Sequence, residues 1–307
     1  MQTAVVFPGQ GSQRVGMGKE LALQYSEARQ TYAEADDALG FAISALCWDG
    51  PADQLTLTTN TQPAILTTSI AVHRVLAGRG LVPHVVAGHS LGEWSALVAA
   101  GALSLADAVK LTRLRGAAMQ DAVPVGQGAM AAIMGLELAA VRAVCEKAAQ
   151  PGQPVEPANL NGGGQIVISG HTDAIDRAIP EAKAAGAKIA KKLAVSAPFH
   201  CSLMKPAAER LAAALADIAV MTPSVPVVAN VTAEPTQDPA RIKDLLVQQV
   251  TAPVRWEESV QTIAKLGATR AFELGSGAVL KGLVKRIAPT VEVTTIGEPH
   301  EVKAFSA

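Results

Sequence analysis

Val85-Val86-Ala87-Gly88-His89-Ser90-Leu91-Gly92-Glu93-Trp94 is the most informative segment of this chain for its fold. It reads as a short apolar strand, a serine between two glycines, and the start of an apolar helix. Gly-x-Ser-x-Gly at a strand-to-helix junction is typical of a nucleophile elbow, a turn so tight that side chains at Gly88 and Gly92 would collide with nearby backbone. The turn predicts an accessible Ser90 hydroxyl, with a helix N-terminus behind it that favours developing negative charge.

Ser90 also has a simpler interpretation. Serine after a buried strand often caps the N-terminus of the next helix, without any chemical role. The strand before Ser90 and the helix after it are the context that the elbow requires, and they favour the nucleophile over the cap.

Composition limits the classes of function. The 307 residues are 49% hydrophobic and 17% charged, which predicts a globular protein of one large or two moderate domains. A formal net charge of -1 argues against general nucleic-acid binding. Cys47, Cys145 and Cys201 lack Cys-x-x-Cys spacing, so we expect reduced thiols and no metal site. We expect no cofactor.

The apolar segments do not predict a membrane protein. The longest runs are interrupted by Gly101 and Asp107 and fall short of a membrane span. Thr3–Phe7 reads as a strand with no basic region or cleavable apolar stretch before it. We therefore expect a cytoplasmic location and no contact with a membrane.

Strands alternate with helices in the first part of the chain, which predicts a mostly parallel sheet. The first strand is 3–7, and the strand that leads to Ser90 is the second. Helical patterning covers 21–39 and 42–46, the segment opened by Thr61-Gln62-Pro63, the segment after Ser90, and the segment from 105 past Arg115. The main domain resumes after His200 with strands at 225–229 and 271–273 and helices at 241–250, 256–266 and 279–287.

The order of strands and helices changes between these two parts. Strands at 129–134, 155–159, 165–169 and 188–195 alternate with helices at 138–149 and 172–185 in the order βαββαβ, that of the ferredoxin-like motif. We predict an α/β fold with a large α/β-hydrolase-like domain, residues 1–125 and 197–307, and an inserted small ferredoxin-like subdomain, residues 126–196. A cleft between two such units is a usual place for a substrate.

A serine nucleophile needs a base, and His200 is the best placed of six histidines. It follows the last small-domain strand, in the loop where the chain returns to the main domain. An ordinary solvated loop histidine is the alternative. The other five histidines are predicted in positions that do not suit a base. They are His73 in a helix, His84 at a strand end, His89 in a packing position, His171 beside a helix start and His300 in a charged tail. No acid between Ser90 and His200 has a clear claim to orient the base, so a backbone carbonyl is an option.

Arg115 lies in a largely apolar helical segment. A guanidinium cannot be neutralised by burial, so an internal Arg115 would need an anion. It is either a surface arginine, as expected for Arg113, or a bidentate clamp for a substrate carboxylate.

Taken together, these motifs resemble the malonyl-CoA:acyl carrier protein transacylases of fatty-acid synthesis over nearly the whole chain. The matching segments, in order, are 7–13, 88–93, Arg115-Gly116 with Met119-Gln120, 155–159, 196–200, and Gln249 with 253–256. The resemblance implies that Ser90 is the nucleophile and His200 its base. It also implies an oxyanion hole from the backbone N–H groups of Gln10 and Leu91.

The resemblance also implies roles for three further residues of the substrate site. Arg115 would hold the free carboxylate of the malonyl group, and a backbone carbonyl near Gln249 would orient His200. The bulk of Phe199 would disfavour methylmalonyl groups.

The implied reaction is a ping-pong transfer of malonyl from malonyl-CoA, through Ser90, to the phosphopantetheine thiol of acyl carrier protein. This acidic partner would dock on a local basic patch, and we expect a monomeric enzyme. The candidate residues, each of which is otherwise ordinary solvated surface, are Lys191, Lys192, Lys281, Lys285 and Arg286. A stand-alone acyltransferase of a polyketide pathway, a serine thioesterase or esterase, and a non-catalytic carrier-protein docking domain stay open as alternatives.

Overall fold

The computed structural model describes residues 2–195 and 197–306. Ser196, part of the predicted histidine loop, lies outside the described residues. The strands are β1 (Gln2–Phe7), β2 (Val85–Gly88), β3 (Gly128–Met134), β4 (Val155–Gly162), β5 (Gln165–His171), β6 (Ile189–Lys192), β7 (Val227–Val228), β8 (Pro235–Thr236), β9 (Ala268–Leu274) and β10 (Glu292–Ile296).

Helices surround these strands. They are α1 (Lys19–Gln24), α2 (Ser26–Leu39), α3 (Ile43–Asp49), α4 (Ala52–Thr56), α5 (Thr58–Ala77), α6 (Leu91–Ala99), α7 (Leu105–Asp121), α8 (Leu138–Ala148), α9 (Thr172–Ala184), α10 (Lys205–Leu215), α11 (Pro239–Gln249), α12 (Trp256–Lys265), α13 (Val279–Ile287) and α14 (Pro299–Ala304). In the described part of the chain, every helix is too short or too polar to span a membrane.

The first sheet has six strands in the order β10-β9-β1-β2-β7-β8. All neighbours pair in parallel except β8, which runs antiparallel to β7 at the edge. Val5 and Phe7 of β1 pack into one large apolar cluster, and Ala4 and Val6 pack into a second one on the opposite face. The strands are therefore covered on both faces, as parallel strands usually are. The predicted mostly parallel sheet is confirmed.

The second sheet is antiparallel, with the order β4-β5-β3-β6. Residues of α8 and α9 pack with its strands in a separate apolar cluster. Two backbone hydrogen bonds tie its β4 edge to the segment before α12. The Leu160 N–H donates to the Val254 carbonyl, and the Val254 N–H donates to the Ala158 carbonyl, each at 2.9 Å. These bonds fix the β4 edge of the second sheet to the chain segment that leads into α12.

Several predicted boundaries differ from the structure. The helix predicted over 21–39 is two helices that meet at Tyr25, whose backbone is extended. The helix predicted to open at 61–63 begins at Thr58, because the carbonyl of Leu57 accepts from the N–H groups of both Asn60 and Thr61. Pro63 thus lies inside α5 rather than in its first turn.

The sequence pattern did not predict α4, α10 or β8, nor two elements in the last part of the chain. These are β10, which pairs with β9, and α14, which begins with a capping box between Glu298 and Glu301. His300, expected in a charged tail, lies in this helix.

Candidate active site

Ser90 lies in the turn between β2 and α6, with φ 52° and ψ -105°. Positive φ is strained for a residue with a side chain, and such strain is often found at functional turns. A Cβ on Gly88 would lie 1.9 Å from the Gly92 carbonyl carbon, and one on Gly92 would lie 2.1 Å from the Phe7 oxygen. Both glycines are therefore required by the close approach of the backbone. The Ser90 N–H donates to Asn230 Oδ1 at 2.7 Å.

Ser90 and His200 lie within hydrogen-bond distance of each other. Ser90 Oγ is 2.7 Å from His200 Nε2, and His200 Nδ1 is 2.8 Å from the carbonyl oxygen of Gln249. A carbonyl can only accept, so the proton of a neutral imidazole lies on Nδ1. Nε2 is then free to accept from the Ser90 hydroxyl. The residue predicted to orient the base thus contacts it through its main chain.

The imidazole of His200 is neutral at physiological pH. Its side chain is buried, with only 3% of the residue exposed. Burial, followed by the charge of Arg115, lowers the pKa of His200 to about 3. A neutral imidazole is the form that can take a proton from Ser90.

Arg115 is also buried, at 2% exposure. Its Nη1 donates to Gln62 Oε1 at 2.7 Å, and its Nη2 donates to Gln249 Oε1 at 2.9 Å and to Ser90 Oγ at 3.2 Å. Among the described residues, its Nε has no hydrogen-bond partner and no carboxylate forms a direct ion pair with it. Burial lowers its pKa to about 10, so the side chain stays cationic at neutral pH. The interpretation as an ordinary surface arginine is wrong.

Gly116 explains how Arg115 reaches this position. A Cβ on Gly116 would lie 2.5 Å from the Thr58 carbonyl oxygen, so only glycine lets α7 approach the start of α5 this closely. The approach brings Arg115 against Gln62 of α5.

Ser90, His200 and Arg115 share one cavity of about 250 Å³. The second sheet and the chain after it supply part of its wall. Residues on this side are Met130, Asn159, Leu193, Ala194 and Val195, and Phe199 lines the cavity next to His200. A cleft between the two sheets thus encloses the hydroxyl, the imidazole and the cation.

Gln10 and Leu91 line the same cavity. Neither of their backbone N–H groups has a hydrogen-bond partner among residues 2–195 and 197–306. Free N–H groups beside a reactive serine are the donors that an oxyanion hole needs. The side chain of Gln10 is held separately, since its Nε2 donates to Thr58 Oγ1 at 3.1 Å.

Glu93 and Asn230 belong to the site, although sequence reasoning gave neither a role. Glu93 Oε2 accepts from the Asn230 N–H at 2.9 Å and from Gln249 Nε2 at 2.7 Å. Asn230 Nδ2 donates to the Gly88 carbonyl at 2.7 Å. Burial raises the pKa of Glu93 to about 7, against the opposing effects of these hydrogen bonds and of Arg115. The only sequence signal for Glu93 is a charge inside an apolar helix, and Asn230 has none.

The remaining histidine near the elbow does not contact Ser90 through its ring. His89 Nε2 is 2.9 Å from Asn161 Oδ1, and its ring packs against Trp256 with centroids 5.6 Å apart. In the described part of the chain, no three His, Cys, Asp or Glu side chains come together as a metal site.

The five candidate docking residues form two groups. Lys191 and Lys192 end β6, at one edge of the second sheet. Lys281, Lys285 and Arg286 lie on α13, beside the other edge, where Arg286 Nη2 donates to Gln165 Oε1 at 3.3 Å. Sheet order separates the groups, so they do not make one continuous patch. Lys192 also pairs with Asp176, at 2.8 Å.

Comparison with known proteins gives a consistent result. The acyl transferase domain family matches residues 4–291. The chain is 50% identical over 304 residues to the malonyl CoA-acyl carrier protein transacylase of Salmonella typhimurium, covering 99% of this chain and 98% of the relative. It is 48% identical over 300 residues to the protein of that name from Bacillus subtilis strain 168, covering 98% and 95%.

Solved structures agree with these relatives. An acyl carrier protein S-malonyltransferase from Vibrio cholerae superposes with a TM-score of 0.96 at 49% identity, covering 99% of both chains. A malonyl-transacylase solved in complex with its type II PKS acyl-carrier protein also gives a TM-score of 0.96. It is 46% identical, and the match covers 99% of this chain and 98% of that one.

Proposed function

This chain belongs to the malonyl CoA-acyl carrier protein transacylases, and we propose that it moves malonyl from malonyl-CoA to the phosphopantetheine thiol of an acyl carrier protein through an ester on Ser90. It is an [acyl-carrier-protein] S-malonyltransferase. The observation that carries the proposal is the position of Arg115. Its Nη2 lies 3.2 Å from Ser90 Oγ, and no carboxylate of the described residues forms a direct ion pair with this buried cation.

The first half of the reaction acylates Ser90. His200 Nε2 takes the hydroxyl proton as Ser90 Oγ attacks the thioester carbonyl carbon. The carbonyl oxygen becomes an oxyanion, which accepts hydrogen bonds from the N–H groups of Gln10 and Leu91. By analogy with measured oxyanion holes, each donor lowers the barrier by about 3 kcal/mol. The C–S bond then breaks, and His200 returns the proton to the departing CoA thiolate.

The second half reverses these steps with a different thiol. The phosphopantetheine thiol of the carrier gives its proton to His200 and attacks the malonyl ester. The C–O bond to Ser90 breaks, and His200 returns the proton to Ser90 Oγ. One acyl group has moved, no cofactor is consumed, and ping-pong kinetics follow.

The far end of the acyl group selects the substrate. A malonyl carboxylate accepts charge-assisted hydrogen bonds from Arg115 that an acetyl group cannot make. The same cation fixes the ester in one pose, which favours a long thiol over water as the acceptor. Phe199 lines the cavity near Ser90, and its bulk excludes the α-methyl of a methylmalonyl group.

The carrier docks by charge. Acyl carrier protein is acidic, and the exposed cations of α13, Lys281, Lys285 and Arg286, give it a basic surface beside the second sheet. We assign the enzyme to fatty-acid biosynthesis in the cytoplasm, as a monomer. The structural relative solved with its type II PKS carrier supports a polyketide carrier as the second candidate partner.

The domain division is part of the same proposal. Residues 1–125 and 197–307 form an α/β-hydrolase-like catalytic domain, and residues 126–196 form a ferredoxin-like subdomain. The element order β3-α8-β4-β5-α9-β6 and the antiparallel sheet order β4-β5-β3-β6 support this division.

The test is intact-mass measurement after mixing the enzyme with malonyl-CoA, methylmalonyl-CoA or acetyl-CoA, with Ser90→Ala as the control. We expect a malonyl adduct on Ser90 that disappears when holo acyl carrier protein is added, with malonyl-carrier as the product. Free malonate as the main product would favour a thioesterase, and absence of any adduct would favour a docking domain. Parallel incubations with fatty-acid and polyketide carriers separate the two candidate partners.

A further inference from the structure

Glu93 is a buried carboxyl group that the transfer steps do not use. It lies in the first turn of α6, close to Ser90 in sequence, and is 3% exposed. Its Oε2 receives two hydrogen bonds, from the Asn230 N–H and from Gln249 Nε2. In residues 2–195 and 197–306, no basic side chain forms a direct ion pair with it. The role of Glu93 in the site therefore depends on the groups that donate hydrogen bonds to it.

The contact with Gln249 determines which way that amide points. Because two donors face Glu93 Oε2, this oxygen accepts whether or not the group carries a proton on its other oxygen. Gln249 must then turn Nε2 toward Glu93, which leaves Oε1 to accept from Arg115 Nη2 at 2.9 Å. The flipped amide would place its NH₂ against the guanidinium and its oxygen against Glu93, so both hydrogen bonds would be lost.

Gln249 contacts Arg115, Ser90 and His200. Its Nε2 also lies 3.1 Å from the Ser90 carbonyl oxygen, and its own carbonyl accepts from His200 Nδ1. An amide in the wrong orientation would release Arg115 from one of its two amide partners, of which the other is Gln62. The guanidinium would then lose its fixed position beside Ser90 Oγ.

We propose that Glu93 is a positioning residue. It fixes the Gln249 side-chain amide, and through that amide it holds Arg115 where the carboxylate of the acyl group must bind. This inference rests on the proposed malonyl transfer, because it concerns how the enzyme distinguishes an acyl group that has a carboxylate from one that does not.

A second buried carboxyl group provides a matched control. Glu273, at the end of β9, is 1% exposed and accepts from the N–H groups of Leu280 and Lys281 at the start of α13. It has the same burial and the same number of hydrogen-bonded N–H donors, but it does not contact Ser90, Arg115 or Gln249. A change at Glu273 therefore reports the loss of stability caused by disturbing a buried carboxyl group outside the site.

The experiment compares Glu93→Asp, Glu93→Gln and Glu273→Asp with the wild-type enzyme. The initial rate of Ser90 acylation gives kcat/KM for malonyl-CoA and for acetyl-CoA, and thermal unfolding monitors the fold. Asp retracts the acceptor by one methylene and loses Gln249. We expect the malonyl-to-acetyl ratio of kcat/KM to fall about tenfold or more. Loss of the hydrogen bond between Gln249 and the charged Arg115 is sufficient for such a factor. Gln keeps an oxygen before the same two donors, so its ratio should stay close to that of the wild type.

Glu273→Asp should lower the unfolding temperature without changing the ratio. The inference is overturned if Glu93→Asp keeps the wild-type ratio, or if Glu93→Gln lowers the ratio as much as Glu93→Asp does. The second result would mean that negative charge, and not the orientation of an amide, is what Glu93 supplies. The wild-type run separates the two proposals: without a malonyl adduct on wild-type Ser90 the proposed function itself fails.

Discussion

Replacing Arg115 by alanine should convert a malonyl-selective enzyme into one that barely distinguishes malonyl from acetyl. The guanidinium is buried. Among the described residues its Nη groups donate only to the neutral groups of Gln62, Gln249 and Ser90, and its Nε has no hydrogen-bond partner. A substrate carboxylate in this cavity therefore gains hydrogen bonds to a cation that it does not have to take from another anion.

The expected fall in malonyl-CoA activity follows from the number of hydrogen bonds that the substrate carboxylate loses. A bond to a charged group contributes about 1.5–3 kcal/mol, so a two-pronged contact contributes about 3–6 kcal/mol. At about 1.4 kcal/mol per factor of ten, kcat/KM for malonyl-CoA should fall about a hundredfold to ten-thousandfold. Acetyl-CoA has no carboxylate and should lose only the effect of the Nη2 contact with Ser90 Oγ, which both substrates share. The ratio of the two kcat/KM values isolates the carboxylate.

The assay is acylation of Ser90 by each thioester under the same conditions, followed by intact mass. Arg113→Ala is the matched control, because Arg113 lies on the same helix but is half-buried, donates to Asn60 and stacks over Phe41. It should leave the ratio unchanged. Arg115 does not bind the substrate carboxylate if Arg115→Ala transfers malonyl at the wild-type rate, or if both substrates lose activity by the same factor.

Three further predictions follow from the same geometry. Burial holds the pKa of His200 at about 3 against an ordinary 6.5, so the unfolded chain binds a proton in that window and the folded chain does not. The free energy of unfolding should therefore fall as pH drops from 6.5, and it should fall less steeply in His200→Gln. Urea unfolding at several pH values measures both slopes, and equal slopes would contradict this. Gly88→Ala should destabilise the fold by about 3 kcal/mol or more, because the new Cβ meets Gly92 backbone. Gly282→Ala, a helical site with open space, should gain up to about 1 kcal/mol, and thermal unfolding compares the two. Charge reversal at Lys285 and Arg286 should raise KM for the carrier and leave KM for malonyl-CoA unchanged, with Lys110→Glu as the control; equal rises for both substrates would dismiss this docking surface.

Local signals in the sequence predicted the centre of the fold well. The apolar run before Ser90 and the two glycines around it predict a strand, a tight turn and a helix, and the structure has β2, the turn and α6 in that order. Each of these features depends on residues close together in the chain. The alternation of strands and helices similarly predicted a mostly parallel sheet.

The parts that sequence reasoning missed depend on distant contacts. Asn230 holds the elbow through hydrogen bonds to Ser90 and Gly88, which lie about 140 residues earlier in the chain. No local pattern marks such a residue. The strand β10 was missed for a related reason: it is short and partly exposed, and its pairing with β9 defines it.

The placement of the Glu93 carboxyl group explains why the cation is available to substrate. A buried guanidinium needs compensation, and a carboxylate in direct contact would provide it most strongly, but that carboxylate would also compete with the malonyl group. Here Glu93 lies one amide away from Arg115, with Gln249 between them. The amide dipole accepts from the cation on one side and donates to the carboxyl group on the other, so Arg115 is stabilised without being neutralised by contact. An ion pair in place of this relay would hold the arginine equally firmly and would make it a poorer receptor for the substrate.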